Sequence, residues 1–176
     1  MVKSERDETT GLYPAYTFGY HGQRSAHLHR FIRGIGGVLA DIRCSRQSAQ
    51  PGWSEGDLVA MFKQHYLRLP QLGNENYKGG EIKIAAPTAG ITIVKTLLEC
   101  SPVVLLCQCQ HLEGCHRNVV GHLLIEAGCR VTEFKLGSMY FEQDPAESKN
   151  KLIGYLEERK RQMEAAPEPV AQTKLF

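Results

Sequence analysis

The sequence predicts an α/β fold, a mainly parallel Rossmann-like sheet flanked by helices in a single domain. Short apolar runs alternate along the chain with segments of helical periodicity, the pattern of a parallel sheet crossed by helices. One run, at 103–106, is apolar at every position, as a strand buried on both faces requires. A length of 176 residues suits one domain with a core of its own.

The expected organisation is a polar, frayed N-terminus over 1–12, an α/β domain over 13–164 and a Pro- and Ala-rich tail over 165–176. The first strand is 13–20, ending in the turn Gly19-Tyr20-His21-Gly22. Ser25 is placed to cap a helix whose apolar face is Leu28, Phe31, Ile32 and Ile35, and Gly36-Gly37 ends it. The second strand, 38–42, carries Asp41, with Arg43 just beyond its carboxyl end. Ser54 and Asp57 have capping-box spacing before a helix expected to bury Leu58, Val59, Met61 and Phe62. A brief third strand at 66–69 precedes a long irregular stretch, 71–87, of the length of a lid or binding loop.

A helix over 88–100 turns Ile91, Val94, Leu97 and Leu98 to one side, and the strand 103–106 follows. Beyond a short polar loop, Val119, Val120, Leu123, Leu124 and Ala127 are spaced as a helix, with Gly128 at its C-terminal cap. The fifth strand is 129–134, and Asp144-Pro145 starts a last helix running to about residue 163.

Composition excludes little. A net charge of +2 does not mark a nucleic-acid binder by bulk charge. Three of the six cysteines crowd one loop, and the charged N-terminus has no apolar leader segment. Free or metal-bound thiols in a reducing cytoplasm are therefore expected. No apolar run approaches the length of a membrane span.

The chemistry concentrates in Leu105-Leu106-Cys107-Gln108-Cys109 and Cys115-His116-Arg117. With Tyr16-Thr17-Phe18-Gly19-Tyr20, Asp41-Ile42-Arg43 and Leu72-Gly73-Asn74 followed by Tyr77, these motifs resemble the bacterial domain-of-unknown-function 488 family over about residues 14–135. The resemblance implies an α/β fold and a site, but no reaction. Many members carry Glu where this chain has Cys109, so no role for an acid there carries over.

Ligands of open parallel sheets bind beyond the carboxyl ends of the strands, and the motifs converge there. Expected catalytic residues are Cys107 and Cys115 as nucleophiles, with Asp41 and His21 for acid–base work. Arg117 at a helix start is expected to hold an anion, with His116, Arg43, Asn74, Tyr77 and Gly19 around the substrate. No cofactor is evident. The alternative is a zinc site of Cys107, Cys109, Cys115 and His116, against which stands the expectation that adjacent Cys115 and His116 point apart on a helix.

The last five residues include Gln172, Leu175 and Phe176 and resemble the peptide by which bacterial DNA polymerases and repair proteins dock on the sliding clamp. The expectation is thus a cytoplasmic enzyme acting on a nucleotide or nucleic acid, recruited to the clamp. The alternatives are a non-catalytic DNA- or nucleotide-binding adaptor and a metal-stabilised module.

Overall fold

Five strands, β1 (Ala15–Gly19), β2 (Val38–Asp41), β3 (Tyr66–Arg68), β4 (Val103–Cys107) and β5 (Val131–Phe134), pair in parallel in the order β3-β2-β4-β1-β5. The computed structural model describes residues 5–135. Between the strands run α1 (Ser25–Ile35), α2 (Glu55–Phe62), α3 (Pro87–Leu98) and α4 (His116–Glu126). The α/β architecture read from the alternating pattern is the one observed. The expected last helix, the tail and Gln172, Leu175 and Phe176 lie outside the described residues.

β4 is central and buried along its whole length, which explains its lack of polar alternation. Its side chains divide by parity. Val104 and Leu106 join Phe18, Leu39, α1 (Leu28, Ile32) and α2 (Leu58, Phe62) in one core. Val103 and Leu105 join Ala15, Ala40, α3 (Val94, Leu98) and α4 (Val120, Leu124) in the other. Each such buried side chain contributes at most about 1.5–3 kcal/mol. Cys107 continues the odd parity, on the α4 side of the sheet.

The helix ends follow local chemistry. Ser54 caps α2 through the expected reciprocal box with Asp57. After α4, Gly128 adopts φ +84°, its amide donates to Ile125 and that of Cys129 to Leu124, so the last carbonyls are satisfied. At α1 the sequence expectation misses by one residue. Arg24 holds the extended cap conformation without a side-chain cap, and Ser25 is buried in the first turn. Val59 is 49% exposed rather than buried, because the eight-residue α2 packs through Leu58 and Phe62, with Met61 half-buried beside them.

The stretch 71–87 is ordered by its own side chains. A 3-10 turn at Pro70–Leu72 opens it, and Asn74 forms an antiparallel bridge with Ile84. The Asn74 Oδ1 accepts from the amides of Asn76 at 3.1 Å and Lys83 at 2.8 Å.

From β1 the chain moves through α1 toward β2, while from β4 it moves through α4 to β5 at the other side of the sheet. α1 and α4 pack on opposite faces. The carboxyl ends of the adjacent strands β1 and β4 therefore form the topological switch point, where open α/β sheets place ligands.

Candidate metal centre

At that switch point Gly19 is in register with Cys107. A Cβ at Gly19 would lie 1.9 Å from the carbonyl oxygen of Cys109 and 2.8 Å from an Arg117 guanidinium nitrogen. The position is glycine because the cysteine loop crosses directly over it. Pairing continues past the strand ends, with the amides of Tyr20 and His21 donating to Cys107 and Gln108 at 3.0 and 3.1 Å. The loop leaves β4 held on one side by β1.

Arg117 holds the other side. Its guanidinium is fully buried and donates to the carbonyls of Cys109 at 2.7 Å and Gln110 at 3.3 Å and to the Cys115 sulfur at 3.3 Å. Its other contacts go to Glu133 of β5, from Nη2 at 3.0 Å and Nε at 3.4 Å. The carboxylate also accepts from the Thr17 hydroxyl. A cation at a helix start opposes the dipole and calls for an anion. Here that anion is Glu133, so the chain itself occupies the donors expected to meet a substrate.

Within this frame three thiols converge. The sulfurs of Cys107, Cys109 and Cys115 all lie within 4.8 Å of one another, Cys107 and Cys115 at 3.2 Å. The expectation that Cys115 and His116 point apart fails for a local reason. Cys115 is the N-cap, extended at φ −99° and ψ 142°, and only His116 has entered the helix. The imidazole Nδ1 lies 3.6 Å from the Cys107 sulfur and 4.0 Å from that of Cys115. Its Nε2 faces the Ile42 carbonyl, just past β2, at 3.3 Å. A carbonyl only accepts, so Nε2 carries the proton and Nδ1 turns a lone pair toward the sulfurs.

The electrostatics agree. Burial holds His116 below the ordinary imidazole range and so neutral. Hydrogen bonds from Cys107 and Cys115, aided by His116 and Arg117, pull the Cys109 thiol down to about 2. Its partners move the other way. Cys107 is raised by its hydrogen bonds to Cys109 and Cys115 and by burial. Cys115 is lowered by its bond to Cys107 but raised on balance by Cys109 and burial. One negative charge is thus favoured in the cluster and a second is resisted. Further thiolates would repel one another, and a bound cation would relieve that repulsion.

No family model, curated protein or solved structure matches the chain. The chemistry rests on the donor set alone. Three converging sulfurs are donors of the kind a thiolate-rich metal site uses, and His116 lies beside them with its far nitrogen on a carbonyl. This cluster could hold a metal ion.

Of the other expected site residues, Asp41, Arg43 and Asn74 make contacts within the scaffold. Asp41 is fully buried and pairs with Arg43 through bonds of 2.7 and 2.6 Å. It also accepts from the Tyr66 hydroxyl at 3.0 Å, with Arg68 at 3.8 Å. Arg43 donates on to the Trp53 carbonyl at 2.8 Å and lies over the Tyr20 ring, which stacks on Trp53 at 4.6 Å. Together they clip the loop after β2 onto the sheet. The carbonyl of Asn74 accepts from the Cys44 thiol. Tyr77 is 56% exposed beside Lys78, and His21 is exposed at its turn.

Of the expected nucleophiles, Cys107 and Cys115 are 1% and 2% exposed, whereas Cys109 is open to solvent. Sequence reasoning missed Glu133 and Trp53. The one signal for Glu133 was a lone acid inside an otherwise uncharged strand.

Proposed function

We propose that the chain is a zinc-binding α/β protein in which Cys107, Cys109, Cys115 and His116 hold one ion at the carboxyl end of β4. The observation that carries this is His116, with Nε2 fixed on the Ile42 carbonyl and Nδ1 aimed at two thiols. Tetrahedral zinc with sulfur at about 2.3 Å and nitrogen at about 2.0–2.1 Å separates its ligands by about 3.6–3.8 Å. Three of the six separations, at 3.2, 3.6 and 4.0 Å, bracket that range. The Cys109 sulfur lies within 4.8 Å of the other two sulfurs, so the His116 nitrogen and Cys109 would close on each other as the ion binds. Three thiolates and one zinc leave a single negative charge, which faces Arg117. Its hydrogen bond to Cys115 is the kind that stabilises metal-bound sulfur.

Four protein ligands make a closed, structural centre, the metal-stabilised alternative of the sequence reading. The ion would fix the 107–116 loop and the crevice beside it. The test is elemental analysis of protein purified without added metal, with thermal unfolding before and after a strong chelator. One zinc per chain and a melting temperature that drops on chelation and recovers with zinc are expected. Metal-free protein that neither binds zinc nor changes stability with it would end the reading.

A second reading is favoured by Cys109, which is exposed and carries the favoured thiolate. In it Cys109 is the nucleophile of an enzyme acting on a nucleotide or nucleic acid. Zinc separates the two, because a metal-bound thiolate resists alkylation and a catalytic one does not.

A further inference from the structure

We infer that the outward side of α1, with the 3-10 turn after α2, is a docking surface for the phosphodiester backbone of a nucleic acid. α1 has the sequence SAHLHRFIRGI and no acidic residue. Leu28, Ile32 and Ile35 face the core, leaving His27, Arg30 and Arg33 exposed, with only Ala26 and Gly34 between them. Across from this side, the turn Lys63–His65 forms the second wall of a groove of about 400 Å³. His29 and Arg33 line one wall and Lys63 and His65 the other, with Ile32 and Phe62 between.

The cations are uncommitted. Among the described residues no ion pair engages Arg30, Arg33 or Lys63. Helix dipoles account for Arg33 in the last turn of α1 and Lys63 at the end of α2. They do not account for Arg30, nor for the lack of any acidic side chain along a groove that carries a cation on each wall. With a net charge of only +2 in the whole chain, this concentration is local, the electrostatic footprint of a polyanion site. A groove with two cationic walls can track a strand's phosphates. An anionic membrane fits worse, since a surface-lying helix inserts large apolar side chains and this side of α1 presents none.

The proposal does not rest on the metal centre, since α1 and the thiol-bearing loop's helix α4 pack on opposite faces of the sheet. The test uses the full chain and a fluorescein-labelled single-stranded DNA of about 20 nucleotides, long enough for one site. Anisotropy is followed as salt is varied. Binding should weaken with salt by about 0.7 in log–log slope per phosphate engaged. The pair Arg30→Glu and Arg33→Glu should weaken binding at least about tenfold and flatten the slope by about 1.4, two contacts' share. The pair Lys78→Glu and Lys83→Glu changes net charge equally elsewhere and should bind nearly as the parent does. If the α1 pair does not fold, Lys63→Gly, acceptable at φ 52°, should flatten the slope by about 0.7. Absence of binding at low salt, equal losses in both pairs, or binding to anionic vesicles in preference to DNA would each overturn the proposal.

Discussion

The Arg117 guanidinium donates to the Cys109 carbonyl at 2.7 Å across the space left by the missing side chain of Gly19. Gly19→Ala should therefore act at a distance on the thiols. The added methyl meets a backbone carbonyl rather than a flexible side-chain end, so the loop must lift. A loss of about 1–3 kcal/mol or more is expected, measured by chemical denaturation, with reduced zinc content. A variant with unchanged stability and full zinc would contradict the placement of the loop.

Arg117 and Glu133 form a buried ion pair, with 0% and 12% side-chain exposure. Arg117→Met leaves the carboxylate without its cation and should cost about 3–5 kcal/mol. Adding Glu133→Gln should recover part of that loss, which a double-mutant cycle measures. Equal and additive losses would show that the pair is not coupled.

The thiols differ by accessibility. In metal-free protein Cys109 should be alkylated first, at a rate nearly flat from about pH 5 to pH 8, because its thiolate persists through that window. The rate for free cysteine rises about tenfold per pH unit through that window. Cys107, Cys115 and Cys129 are buried and should react only on unfolding. Zinc should protect Cys109, and peptide mapping of the labelled protein reads the order directly.

Acid should weaken the fold through the histidines of α4. Burial lowers His116 and His122 below the ordinary 6.5. Below that pH the unfolded chain gains protons that the folded one refuses. The stability these groups supply is complete above about pH 6.5 and declines as pH falls toward their folded values. His122→Gln should make the pH dependence of unfolding shallower in the acid range. An unaltered slope would count against a neutral, buried His122.

The terminal peptide can be tested apart from the fold. A peptide spanning 168–176 should bind a bacterial sliding clamp at about micromolar level, roughly 8 kcal/mol. Replacing Gln172, Leu175 and Phe176 by alanine should abolish binding. Failure of the parent peptide to bind would remove the clamp from the account of this protein.

The layers of the fold were legible because they depend on local pattern. The continuous run of β4, the Ser54–Asp57 box and the Gly128 cap each need only a few neighbouring residues. The cysteine cluster was legible, but not what each residue in and around it touches. Cys107, Cys109, Cys115, His116 and Arg117 could be read from one stretch, whereas what each touches depends on β1, β2 and β5. That Arg117 meets Glu133 and His116 meets Ile42 are facts of strand order, which residue spacing does not encode. The judgement on Cys115 and His116 failed because helical geometry was extended one residue too far, into a cap that is still extended chain.

The pairing of Arg117 with Glu133 also bears on synthesis. The carboxylate lies sixteen residues downstream of the guanidinium, so a ribosome delivers the thiols, the imidazole and the cation before their counter-charge. A nascent chain halted just short of β5 would have to bury Arg117 unpaired or leave α4 undocked. Four of the five described strands are by then already made. β5, the last of the described strands to emerge, would thus act as the latch for the loop. A stalled chain ending before Glu133 should remain open to protease at 107–117, and one ending after β5 should close.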